Sequence, residues 1–154
     1  MEIHTSFRGK VIVRPEYRDL VKLICNGEWE KAEEQFPFIQ EYTKIEMSKK
    51  IPITEQEIAH AIAEDGFVYL RNHHGTWEDE EEYYTMLDGT VWAFIANIED
   101  YKDKNKNNVL PIQSFIKIIL EKIVTDVVLL EEWYGDKDSP IQYVLTNTKI
   151  KCKK

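Results

Sequence analysis

Two cysteines in 154 residues are too few for a disulfide scaffold or a four-cysteine zinc site. No apolar run approaches the roughly 18 residues that a membrane-spanning helix needs. The opening MEIHTSFRGK lacks the apolar stretch of a signal peptide. The expectation is therefore a cytoplasmic protein without membrane contact. Five prolines and six glycines are nowhere clustered into a linker, and no internal repeat is present, so a single domain over residues 1–154 is expected. Cations are the minority: 20 Lys and Arg against 28 Asp and Glu give a net charge of −8. A dedicated nucleic-acid binder needs cations to displace phosphate counterions, so nucleic acid is not an expected partner. Catalytic signatures are missing too. There is no Gly-rich phosphate loop, no H-E-x-x-H or C-x-x-C, and no G-x-S-x-G around Ser6, Ser48, Ser114 or Ser139. No cofactor is implied.

What is present can build a core, with 43% hydrophobic and 12% aromatic residues. Phe7 to Arg14 reads as a strand. Pro15 marks a helix start, because its missing N–H costs nothing in a first turn. Tyr17, Leu20, Val21 and Ile24 then form one helical stripe. Asn26-Gly27 stops that helix, since Gly takes the left-handed cap conformation freely. Trp29 to Phe36 reads as a short helix closed by Pro37. The stretch 38–53 fits helix or extended chain, and extended structure is expected from about Ile45. Thr54-Glu55-Gln56-Glu57 has capping-box spacing before the stripe Ile58, Ala61, Ile62. Gly66 would end this helix.

Phe67 to Arg71 reads as a strand and Asn72 to Glu80 as a polar loop. Tyr83 to Leu87 and Thr90 to Ile95 are β-rich runs flanking Asp88-Gly89, the residue pair that a type I′ hairpin turn favours. Residues 101–108 form a charged loop. Leu110 to Val124 has the strongest helical periodicity, with Ile112, Phe115, Ile116, Ile119, Leu120 and Ile123 on one face. Lys117 and Glu121 stand at i, i+4. Val127 to Tyr134 and Ile141 to Thr146 read as strands, and residues 148–154 as a frayed basic tail. Hairpin-linked strands with grouped helices predict an α+β domain. Its sheet is antiparallel or mixed, of about five to six strands, with helices mainly on one face.

Chemistry-bearing groups are few. His73 and His74 precede the run Glu78 to Glu82 and could supply ligands to a transition metal if a turn brought them together. Otherwise they are exposed loop histidines, and His60 is a helix-surface residue. Five successive carboxylates repel one another and make a negative surface rather than a tuned acid–base pair. Residues 76–103 contain nine carboxylates and one lysine, a net −8 equal to that of the whole chain. The same segment carries Trp77, Tyr83, Tyr84, Trp92, Phe94 and Tyr101. Carboxylates steer a basic partner and aromatics anchor it, although strand alternation would send about half of those aromatics to the core. At Glu131-Glu132-Trp133-Tyr134, alternation separates Glu131 and Trp133 from Glu132 and Tyr134. A buried carboxylate there would need a cation, for which Arg14, Arg18 and Arg71 are candidates; an exposed strand end is the alternative. Cys25 reads as a buried thiol and Cys152 as a tail residue.

The hairpin TMLDGTVWAFIANIEDY, the helix LPIQSFIKIILEKI, the strand ending EEWYGD and the strand IQYVL together resemble the layout of small acidic bacterial immunity proteins. Those proteins accompany the toxins of contact-dependent inhibition and other polymorphic toxin systems. The resemblance spans about residues 67–147. It implies a non-enzymatic, immunity-type inhibitor that binds and blocks a cognate toxin, and the acidic, aromatic-bearing segment 76–103 makes a basic partner such as a nuclease toxin the expectation. Trp77, Glu80, Glu81, Glu82, Tyr83 and Asp100 are the expected contact residues. Two alternatives stand beside it. One is a metal-dependent hydrolase or metal-binding protein using His73, His74 and the neighbouring carboxylates. The other is a phage anti-defence binding protein, for which only scattered cations such as Arg8, Arg14 and Arg71 would meet a nucleotide.

Overall fold

A computed structural model of the chain describes residues 4–65, 85–99, 111–134 and 140–153. Six antiparallel strands form one sheet: β1 (His4–Val13), β2 (Met86–Asp88), β3 (Val91–Glu99), β4 (Val124–Tyr134), β5 (Ile141–Thr146) and β6 (Lys149–Cys152). Their spatial order is β2-β3-β1-β4-β5-β6. The helices are α1 (Arg18–Cys25), α2 (Trp29–Gln35), α3 (Gln40–Thr43), α4 (Glu55–Asp65) and α5, which runs continuously through Pro111–Ser114, Phe115–Leu120 and Glu121–Ile123. The fold is the expected α+β domain. The expected strand Phe67 to Arg71 lies outside the described residues.

Registers place Phe7, Gly9 and Val11 of β1 beside Trp92, Phe94 and Ala96 of β3 and Leu130 of β4 on one side of the sheet. Helix residues Leu20, Ile24, Trp29, Tyr42, Phe115 and Ile119 join them in one buried cluster, so the helices cover this side. Rings of Phe7, Trp92, Phe94 and Tyr42 all pack on Phe115 at centroid distances of 5.3 to 6.1 Å, in tilted or edge-on geometry. Gly9 lies directly under Phe94. A Cβ there would run into the Phe94 ring and Leu130. All six stripe residues of α5 are buried. Its middle, Phe115–Leu120, has π-helical hydrogen bonding, wider than the α-helix expected.

Four expectations are corrected. The β2–β3 turn is shifted by one residue. Asp88 pairs with Val91, so Gly89-Thr90 occupy the turn. Only Gly89 has positive φ, at 61°, as the first position of a type II′ turn requires. Residues 37–43 are helical, and turns continue to Lys50, rather than extended chain from Ile45. The buried Tyr42 hydroxyl donates to Ser48 O at 2.5 Å and draws this segment into a compact knot. The basic tail is not frayed. Asn147, at φ 57°, turns the chain back, and β6 pairs along β5 with Ile150 buried. Finally, β4 starts at Val124, three residues before the expected Val127, and contains two register shifts against β1. The extra residue at Val128 is 59% exposed, and it lets both Val127 and Leu130 face the helices.

Several local readings hold. Pro15 opens a 3-10 turn that runs into α1, and Gly27 follows it at φ 74°. Thr54 Oγ1 accepts from Glu57 N at 3.1 Å and donates to the Glu57 carboxylate at 3.1 Å, capping α4. Lys117 pairs with Glu121 at 2.9 Å.

Candidate functional site at the edges and end of the sheet

Trp77, Glu80, Glu81, Glu82, Tyr83, Asp100, His73 and His74 lie outside the described residues. The structure describes the frame that carries the acidic segment. Strands β2 and β3 belong to that segment, and β2 is an outer strand of the sheet. On β2, Asp88 is exposed and Met86 is 42% exposed. Trp92 and Phe94 point the other way and are fully buried, so these two aromatics build the core and are not partner anchors. Arg18 Nε donates to Gly89 O at 2.8 Å and ties α1 to the hairpin turn.

The second polar feature is the end of β4. Glu131 and Glu132 are both buried, correcting the reading of an exposed strand end. Glu131 accepts from Arg8 Nε at 2.5 Å and from Trp133 Nε1 at 3.3 Å. The cation beside Glu131 is Arg8, directly opposite it in the β1–β4 register, and neither Arg14 nor Arg18. Arg14 is exposed beside Pro15, Arg18 serves the hairpin, and Arg71 lies outside the described residues. Only strand pairing identifies Arg8, because 123 residues separate it from Glu131.

Glu132 projects to the helix-covered side. Tyr143 donates its hydroxyl to Glu132 at 3.1 Å, and Gln113 Nε2 of α5 donates to the Tyr143 hydroxyl at 3.4 Å. Burial, and then the charge and hydrogen bond of Glu132, push the Tyr143 phenol well above its ordinary range. It therefore remains a proton donor to the carboxylate. Cys25 is buried as expected. Desolvation and Glu55 raise its thiol to about 12, against a lowering contribution from the Trp92 indole, so it is a poor nucleophile at neutral pH.

Chemically, the two carboxylates cannot work on one substrate, because they point to opposite sides of the sheet. Each is already engaged by its neighbours. Among the described residues, no group of three or more His, Cys, Asp or Glu is placed to hold a metal ion. His60 is exposed on α4. The depression beside α2, lined by Glu28, Lys31 and Lys49 among others, is open, and Lys31 pairs with Glu28 there at 3.2 Å. No described helix is long and apolar enough to cross a membrane. No family profile, curated protein or solved structure matches this chain.

Proposed function

We propose that the protein is a non-enzymatic inhibitor of the immunity type, binding a basic protein partner such as a nuclease toxin domain through residues 76–103. The observation that carries this reading is charge segregation: the segment holds net charge equal to that of the whole molecule, and its described strands form one edge of the sheet. An outer hairpin with exposed Met86 and Asp88 suits a surface that meets a partner. Steering by the acids raises the association rate, and occlusion blocks the partner. Trp77, Glu80, Glu81, Glu82, Tyr83 and Asp100 are the proposed contacts, and a cytoplasmic location fits the role.

The test is capture of the tagged protein from lysate of its source organism at low and high salt. One stoichiometric basic partner, released by salt, is expected. Replacing Glu80, Glu81 and Glu82 by Lys should abolish that capture without lowering thermal stability. Capture unchanged by the replacement and by salt would remove the acidic segment from the interface. Protein recovered alone from cells expressing their toxins would overturn the inhibitor reading itself.

A further inference from the structure

Little ties the β5–β6 hairpin to the rest of the sheet. β1 is paired along nine residues with β3 and along nine with β4. β5 meets β4 at two pairs, Glu131 with Gln142 and Glu132 with Ile141, and the ladder ends there. Beyond it, Val128 of β4 and Val144 of β5 are exposed. Within the hairpin the pairing is longer. Tyr143 to Thr146 face Cys152 to Lys149, and Lys153 N donates to Gln142 O at 2.6 Å. The hairpin is thus better joined to itself than to the sheet. Its apolar anchoring is thin as well. Tyr143 is the buried residue of β5 and Ile150 that of β6, with half-buried Leu145 packed against the core. By contrast, β1 buries Thr5, Ser6, Phe7, Gly9, Val11 and Val13. A short ladder and few buried apolar groups are the marks of a segment that opens at a lower free energy than the whole fold.

Much of what holds the hairpin is polar and comes from one helix. Gln113, Lys117 and Glu121 stand four residues apart along α5. Gln113 Nε2 donates to the Tyr143 hydroxyl at 3.4 Å and Lys117 Nζ to Ile150 O at 3.4 Å, while Glu121 accepts from Ile150 N at 2.8 Å. Lys149 Nζ lies 3.8 Å from the other Glu121 oxygen. The outer edge of β6 is therefore capped at Ile150 by helix side chains rather than by another strand. On the sheet side, the Tyr143 hydroxyl reaches Glu132 at 3.1 Å. Gln113 and Lys117 are exposed, so water can take over their bonds when the hairpin moves out.

We infer that the β5–β6 hairpin is a flap: it leaves α5 and β4 as a unit while the rest of the sheet stays folded, and the α5 line Gln113, Lys117, Glu121 is its latch. Opening uncovers the β4 edge at Glu131 and Glu132, takes the Tyr143 donor from Glu132, and frees the backbone groups of Ile150. Two strand edges that the closed fold keeps occupied then become available. The flap does not depend on residues 76–103 or on the proposed inhibitor role.

Hydrogen exchange of the folded protein in low concentrations of urea tests it. The Ile150 amide reports the latch, and the β1 amides report global unfolding. Ile150 is expected to exchange through an opening whose urea slope lies above zero and below that of β1, because a flap exposes only part of the surface that unfolding exposes. A zero slope would mean that only the Glu121 side chain swings away. A slope equal to that of β1 would mean that the hairpin leaves only when everything unfolds. Either result overturns the inference. Two variants then identify the moving unit. Tyr143→Phe removes the hydroxyl that joins the hairpin to Glu132 and Gln113 but leaves the Ile150 acceptor in place. It should speed Ile150 exchange about tenfold. Ile24→Val trims the buried face of α1, the helix tied to the β2–β3 turn at the other edge of the sheet. It should speed the β1 amides about fivefold and leave Ile150 unchanged, since α1 stays packed when the flap opens. Ile150 exchange indifferent to Tyr143→Phe, or rising with β1 in Ile24→Val, would also overturn it.

Discussion

Glu131 and Glu132 are adjacent in sequence and sit on opposite sides of one sheet, and each side solves the burial of a carboxylate differently. On the side opposite the main aromatic core, Glu131 is met by the Arg8 guanidinium and the Trp133 indole. On the helix-covered side, Glu132 accepts from the Tyr143 phenol, which is itself held by Gln113. Arg8 remains partly exposed, with 16% of its side chain accessible, so its charge is not wholly stripped of water. The phenol adds a neutral donor to one Glu132 oxygen. The difference teaches that residue type alone does not set the environment of a carboxylate; the face it occupies does.

Breaking the Arg8–Glu131 pair should have the largest effect. Arg8→Ala leaves Glu131 buried without that cation and should cost about 3 kcal/mol in chemical denaturation. The double variant Arg8→Met, Glu131→Leu should recover most of the loss, because apolar replacement removes the desolvation cost as well. A double variant no better than Arg8→Ala would refute the burial argument. Next, adjacent positions on β1 contrast the faces directly. Gly9→Ala pushes a methyl into Phe94 and Leu130 and should cost about 2 kcal/mol. Lys10→Ala, at an exposed position on the other side, should cost no more than about 0.5 kcal/mol. Equal melting temperatures for these two variants would contradict the buried setting of Gly9 and the exposed setting of Lys10.

Tyr143→Phe keeps the ring and deletes the donor to Glu132, for a loss of about 1.5 kcal/mol. Because the phenol stays protonated, this loss should be the same at pH 7 and pH 9. The smallest effect concerns β6. Burial raises the Glu121 carboxyl, but the Ile150 N–H and then Lys117 and Lys149 outweigh it and hold the group below its ordinary range. A depressed folded-state value stabilises β6 above the unfolded carboxylate range and is lost as pH falls through the folded value. The protection of the Ile150 amide, its exchange relative to the intrinsic rate at each pH, should therefore fall on acidification, and Glu121→Gln should flatten that dependence.

Legibility from sequence varied by element. In α5 the i, i+3, i+4 spacing of six apolar residues identified the buried face completely, because a single helix needs one stripe and nothing else to declare it. Asp88-Gly89 located the hairpin but not its register, since a one-residue shift still puts Gly in the turn. Lys149 to Lys154 read as a charged tail because composition masked a short strand in which Ile150 alone is buried. Of the polar groups, EEWY was singled out, yet Arg8 was not named as the partner of Glu131. The partner of Glu131 depends on which strand lies beside β4, and β1 is about as far away in sequence as the chain allows.

Sequence by itself determined the α+β class, the buried faces of α1 and α5, the cap of α4 and the acidic character of residues 76–103. These follow from local periodicity, local hydrogen bonding and charge counting, all complete within a few turns of chain. Tertiary structure alone decided that Arg8 answers Glu131, that Tyr143 answers Glu132, and that Lys10, Lys151 and Lys153 share one face. Each of these depends on strand order and register, which are set by packing between segments far apart in the chain.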